Sequence, residues 1–159
     1  MDTFSAYVEA RQRRLLRTAW LLTGDWASAE DLVQTSLVKV WPRFEALAAQ
    51  GDPDAYVRQV VFRTFVSWRR TAWRRERPVP GYVDVAAPEQ DHDLALVLRE
   101  VLPLLPPRQR AVVVLRYLED LSEQQTAQVL GCSVGTVKSQ ASRGLAQLRS
   151  RLAEQGVTP

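Results

Sequence analysis

The chain has 159 residues, 46% of them hydrophobic and 25% charged, with a net charge of +3 at neutral pH. This is folded-protein composition, and the length allows one domain or two small ones. The longest aliphatic runs, such as Ala111–Leu115, are far shorter than the roughly 20 residues of a membrane span, and no apolar stretch follows the first Met, so a cytoplasmic chain without membrane insertion is expected.

The first helix is marked by Phe4, Val8, Leu15, Ala19 and Leu22, which share one face and lead to Gly24. Asp25 then caps a second helix that buries Ala29, Leu32, Val33, Leu37 and Val40 and is expected to end near Trp41, because Pro42 interferes with regular helix geometry. Asp31, Gln34 and Thr35 face outward on it. After Gly51 and Asp52, Pro53 suits a first helical position, and Asp54 to about Arg75 holds no Gly or Pro, which predicts a third long helix. The stretch PVPGYVDVAAPEQDHD, 78–93, has three prolines, one glycine and no helical period; it reads as a tether between domains. Leu94–Leu105 is apolar at helical spacing, Pro106 and Pro107 interrupt it, and Arg108–Leu118 forms another helix before a final pair. No strand pattern and no internal repeat occurs. The expected fold is all-α: two small helical domains, 1–77 and 94–159, joined by a flexible linker.

Charge follows the same division. Residues 1–75 carry +4, residues 76–100 carry −4 and residues 101–159 carry +3, and of the 21 cationic side chains only Lys39 and Lys138 are lysine. Arginine grips phosphate in a fork and stacks on flat rings, although a GC-rich genome would produce the same bias.

The most specific motif is LSEQQTAQVLGCSVGTVKSQASRGLAQLRSRL, 121–152. Ser122 and Gln125 form a capping box, Gly131 suits a tight turn, and Ser133 caps a second, longer helix. This is the helix-turn-helix pattern, whose second helix enters the DNA major groove. In that helix Val134, Val137, Ala141, Leu145, Leu148 and Leu152 make the buried stripe. At about 100° per residue, Thr136, Ser139 and Arg143 point away from it, and Lys138, Gln140 and Ser142 lie on its flanks. Such side chains suit base edges and phosphates. The competing reading is an amphipathic hairpin with a solvated polar face. The scarcity of glutamate on the outward face and the agreement of cap, turn and stripe favour DNA. Cys132 fits an apolar turn position.

The second motif is the third helix, where Arg58, Arg63, Arg69, Arg70, Arg74, Arg75 and Arg77 alternate with Tyr56, Phe62, Phe65, Trp68 and Trp73. Aromatics stack on unpaired bases at about 1–3 kcal/mol each while arginine attracts phosphate, so single-stranded DNA fits this surface. The alternative is that the aromatics are core: Val57, Val61 and Phe65 fit a buried face that Trp68 can join. Enzyme chemistry has no visible basis, since there is no phosphate-cradling glycine loop and no Ser/His/Asp set. No carboxylate pair lies near His92, and the single cysteine and histidine are too few for a disulfide or a zinc site. No cofactor is expected.

These residues carry a resemblance. AEDLVQTSLVKVWPRF (29–44), AYVRQVVFRTFVSWRR (55–70), LPPRQRAVVVLRYLEDLS (105–122) and LGCSVGTVKSQASRGLAQLR (130–149), in that order, resemble a bacterial RNA polymerase sigma factor of the small extracytoplasmic-function type, nearest its actinobacterial SigE-like branch. The resemblance implies that residues 1–77 are region 2, which binds core polymerase and recognises and melts the promoter −10 element. It makes 94–159 region 4, which reads the −35 element.

By resemblance the second helix docks on the β′ clamp helices, with Asp31, Gln34 and Thr35 as contacts, and the β subunit is also a partner. Tyr56, Arg63, Trp68, Arg69 and Arg70 are the −10 candidates, and Thr136, Lys138, Ser139, Ser142 and Arg143 the −35 candidates. The sequence departs from the family pattern at Thr35, where an acidic residue is usual, at Gln59, where Arg is common, and at Arg63, where Asn is common. Melting is driven because the domain binds the unstacked strand better than duplex, offsetting an unpairing cost of a few kcal/mol per step. An anti-sigma factor is a further partner of such proteins. Two other classes remain: a stand-alone helix-turn-helix regulator, which has no need of the basic aromatic helix, and a sigma-like decoy that binds polymerase without initiating, which has no need of the −35 face.

Overall fold

Two aspartates start the first two helices. In the computed structural model, which describes residues 2–75 (side chains to 68), 98–154 and 156, the Asp2 carboxylate accepts from Ser5 N at 2.7 Å and begins α1 (Thr3–Thr23). Gly24, at φ +84°, closes α1 by donating to Trp20 O, and Asp25 accepts from Ser28 N at 2.8 Å to begin α2 (Trp26–Gln50). The two pack as an antiparallel pair, and α3 (Asp54–Arg75) lies against both. All five apolar residues expected on the inner face of α2 are buried, as are Ala19 and Leu22 of α1.

The expected end of α2 near Trp41 is wrong. The helix continues through Pro42 to Gln50. Pro42 is exposed and removes a single N–H, whereas Phe44 beyond it is buried, with its ring centroid 5.1 Å from those of both Phe4 and Tyr7. Burial of that aromatic cluster outweighs one lost backbone bond.

The second block begins with helical backbone at 98–101 and a 3-10 turn (Leu102–Leu104), followed by α4 (Pro107–Val113). Residues 94–97 of the expected apolar helix, and the tether 78–93 with His92, lie outside the described residues. The helix expected to reach Leu118 widens instead into a π turn (Val114–Leu118), where Glu119 N bonds to Val114 O and Asp120 takes φ +58°. Then come α5 (Glu123–Leu130) and α6 (Val134–Glu154). No strand occurs among the described residues.

The two blocks do not stand apart. Phe62 and Phe65 of α3, Val101 and Leu102, and Val113–Leu115 and Leu121 belong to one continuous apolar cluster. α1 is also tied to α3, where Asp54 Oδ1 accepts from Tyr7 Oη at 2.6 Å and from Arg11 Nε at 3.2 Å. Burial raises the Tyr7 pKa, and the bond to the Asp54 carboxylate raises it further. Burial also opposes the Asp54 charge, but the bonds from Tyr7 and Arg11 and the nearby Arg11 and Arg14 charges prevail, so its pKa lies below the usual 3.8. A folded-state pKa below the unfolded one stabilises above the unfolded value, and that contribution disappears as pH falls through the folded one. Asp54→Asn should therefore lower the urea midpoint at pH 7, and its deficit relative to the parent should shrink as pH drops below 3.8.

Candidate promoter-binding surfaces

The helix-turn-helix forms from local signals. Ser122 Oγ accepts from Gln125 N at 3.0 Å while Ser122 N donates to Gln125 Oε1 at 2.9 Å, completing the capping box of α5. Gly131, at φ +67°, ends α5, and Ser133 Oγ accepts from Thr136 N at 3.1 Å to start α6. Along α6, Val137, Ala141 and Leu148 are buried and Val134, Leu145 and Leu152 half-buried, so the stripe is where the spacing puts it. Lys138, Ser139, Ser142 and Arg143 are exposed together, which frees Lys138 from the flank of the stripe. Thr136 differs: it is half-buried, its hydroxyl lies 2.9 Å from Ser133 Oγ, and it faces α3.

On α3 the aromatics divide. Phe62 and Phe65 are fully buried, and Tyr56 and Trp68 are half-buried and pack on the core. Arg63 is exposed, yet its Nε donates to Val129 O at 2.9 Å and its Nη2 to Gln128 O at 3.0 Å, the last carbonyls of α5. The side chains of Arg69 and Arg70 lie outside the described residues. A cavity of about 180 Å³ separates α3 from the helix-turn-helix, with Arg63, Val66 and Ser67 on one wall and Cys132, Thr136 and Gln140 on the other. Cys132 is half-buried there with a free thiol.

On α2, Asp31 and Gln34 are exposed and Thr35 half-buried. The same face continues into Val38 and Trp41, 67% and 66% exposed, the two most exposed large apolar side chains described. Neither Val38 nor Trp41 is among the contacts expected from the sequence. Positions 31, 34, 38 and 41 nevertheless recur at helical spacing, and that signal could have found them.

Two further groups gave no sequence signal. Arg110, only 3% exposed, donates to Leu22 O at 2.6 Å, to Pro103 O and to Leu105 O, and lies 5.5 Å over the Phe65 ring. Glu119, on the far side of the π turn, accepts from Thr18 Oγ1 at 2.6 Å and pairs with Arg14 at 3.7 Å. Both link the second block to α1.

This architecture is a helical bundle with an exposed α2 face, followed by a helix-turn-helix. A family model described as Sigma-70 region 2 matches residues 7–75, and one described as Sigma-70, region 4 matches residues 95–148. The RNA polymerase sigma-E factor of Streptomyces avermitilis is 42% identical over 152 residues, covering 94% of this chain and 84% of that relative; its counterpart in Streptomyces coelicolor is 43% identical, with 94% and 85% covered. The ECF RNA polymerase sigma factor SigL of Mycobacterium tuberculosis is 37% identical over 153 residues, covering 91% and 85%. The chain belongs to the sigma-70 family of RNA polymerase sigma factors, in its extracytoplasmic-function (ECF) group. Its fold is that of the sigma factor RpoE solved in complex with the anti-sigma factor NepR from Bartonella quintana, with TM-score 0.76 and 24% identity over 96% of this chain and 98% of that one. CnrH, solved in complex with the cytosolic domain of CnrY, superposes with TM-score 0.63 at 22% identity, over 95% and 88%. No described helix is long and apolar enough to cross a membrane.

The seat of α6 depends on Gly144. A Cβ there would lie 2.8 Å from Val113 Cγ2, a core atom of α4. Gly144→Ala should overpack the α4–α6 contact and cost about 1–3 kcal/mol, read as a lower urea midpoint at unchanged m-value.

Proposed function

We propose that this sigma factor binds core RNA polymerase through the outer face of α2, reads the −35 element with α6 and opens the −10 element with α3. It does no bond chemistry itself and acts in the cytoplasm, where the template is. The observation that carries the reading is the division of α6 into a buried stripe and an exposed face of Lys138, Ser139, Ser142 and Arg143. That face bears two cations and two hydroxyls and no acid, which suits phosphates and base edges in the major groove.

The roles of Asp31, Gln34 and Thr35 toward the β′ clamp helices, and of Tyr56, Arg63, Trp68, Arg69 and Arg70 toward the −10 strand, are supported by position in the family pattern. The exposure of Asp31 and Gln34, and their continuity with Val38 and Trp41, adds a physical reason: charged and apolar groups on one rigid helix face make a protein-docking surface. Thr136 supports the cap of α6 as well as any base contact. The β subunit is a second contact partner in the polymerase. An anti-sigma factor is a further partner, in line with the sigma factor RpoE, which was solved in complex with the anti-sigma factor NepR.

The test is reconstitution. Added to core polymerase, the chain should direct transcription from a specific promoter, and Arg143→Ala should reduce it by about tenfold or more, in line with about 1–3 kcal/mol per base-edge contact, mainly on templates that retain the −35 element. Failure to co-purify with core would overturn the reading. Retention of full activity by Arg143→Ala would remove that residue from the −35 contacts.

A further inference from the structure

The cavity between α3 and the helix-turn-helix has a polarity for which promoter binding gives no reason. Its inner wall is apolar: Val112 of α4 is 1% exposed, and Val66, Leu130 and Cys132 are half-buried beside it. Its mouth is cationic: Arg63 of α3 and Arg108 of α4 are both exposed there, on different helices. Val129 O at 2.9 Å and Gln128 O at 3.0 Å hold the Arg63 guanidinium in place. Carbonyl oxygens orient that cation and leave its formal charge uncancelled. None of the described residues lining the cavity is acidic, and no described ion pair engages Arg108.

One sign of charge above a low-dielectric wall concentrates counter-ions. A guanidinium meets a carboxylate through two parallel N–H···O bonds, so a carboxylate is the natural counter-ion for this mouth. Volume sets the rest of the ligand. A cavity of about 150 Å³ takes a benzene ring, and this one measures about 180 Å³. The difference is about 30 Å³, the share of about one water molecule in the liquid, so a carboxylate on a single ring completes the filling. Thr136 and Gln140, both half-buried on the α6 wall, add a hydroxyl and an amide at the side. Apolar walls with a few convergent polar groups are the usual make-up of a small-ligand site.

We propose that this cavity binds a small amphipathic carboxylate, of the size of a single-ring aromatic acid. The ring lies against Val66, Val112 and Leu130, and the carboxylate sits between Arg63 and Arg108. An occupant there touches Arg63 and Thr136, both proposed above for promoter contacts; that consequence rests on the sigma reading, whereas the site itself is a property of the free chain.

The experiment is titration of the free full-length chain with benzoate at constant ionic strength, followed by amide NMR shifts. Saturable one-site binding with a Kd of about 0.1–1 mM is expected, the range that about nine non-hydrogen atoms reach at intermediate ligand efficiency. Benzamide keeps the ring and loses the charge, and acetate keeps the charge and loses the ring; each should bind about tenfold more weakly or worse. Arg108→Gln should weaken benzoate by about tenfold and Arg108→Lys by less, and the exposure of Arg108 lets both variants fold as the parent does. Cys132 gives a second readout, because it is the one cysteine of the chain and lies on the cavity wall. Benzoate at about ten times its Kd should slow alkylation of Cys132 by iodoacetamide about tenfold, in proportion to the empty fraction. Absence of saturable binding, equal affinity for benzamide, or an Arg108→Gln chain that matches the parent would overturn the site. Binding that leaves the Cys132 alkylation rate unchanged puts the ligand elsewhere and overturns it too. Co-elution with core polymerase is a separate measurement, so a chain that binds benzoate and never core refutes the sigma function while the site stands.

Discussion

A single buried guanidinium ties the fold together. Arg110 is almost fully removed from water, where an uncompensated charge is costly. Its two terminal nitrogens donate to carbonyls from separate places, Leu22 at the end of α1 and Pro103 and Leu105 around the 3-10 turn, while the Phe65 ring of α3 lies beneath. The Leu22 carbonyl belongs to the last turn of α1, where unsatisfied oxygens concentrate negative potential, so the cation there completes that helix end as well as its own solvation. Four segments meet at this one side chain. The position of α4, and through it of the whole helix-turn-helix, follows.

The π turn after α4 has a related effect. Widening the helix by one residue per turn brings Glu119 round to Thr18 and Arg14, and Asp120 at positive φ redirects the chain into α5. The capping box, Gly131 and Ser133 then set the ends of α5 and α6, and Val112 of α4 packs against Ala127, Val137 and Ala141 of the pair. The recognition helix is thus built by local signals and aimed by long-range ones. The cation-rich face of α6 and the apolar-and-acidic face of α2 are exposed, while Arg63 of α3, though exposed, is bonded to α5.

Much of this was legible in the sequence because it depends on neighbours three or four residues apart. Asp25, Ser122, Gln125, Gly131 and Ser133 act where their spacing puts them, and the stripes of α2 and α6 are buried as the 3.6-residue period requires. Pro42 shows the limit of local signals: it is a local breaker, but the packing of Phe44 on Phe4 and Tyr7, distant in sequence, carries the helix through it. On α3, periodicity could not apportion five aromatics between core and surface. Phe62 and Phe65 are buried because the second block covers a flank that a solitary three-helix bundle would leave open.

By itself the sequence determined the helices, their caps, the recognition helix with its outward residues, and, through four motifs in order, the family. Only the tertiary structure decided what Arg63, Arg110 and Glu119 do. Nothing near them in the chain distinguishes them from other surface charges, since their partners lie 66, 88 and 101 residues away. A guanidinium that reads as a phosphate contact is, in the folded chain, bound to backbone carbonyls. That outcome depends on which surfaces meet, and residue type at one position carries no record of it.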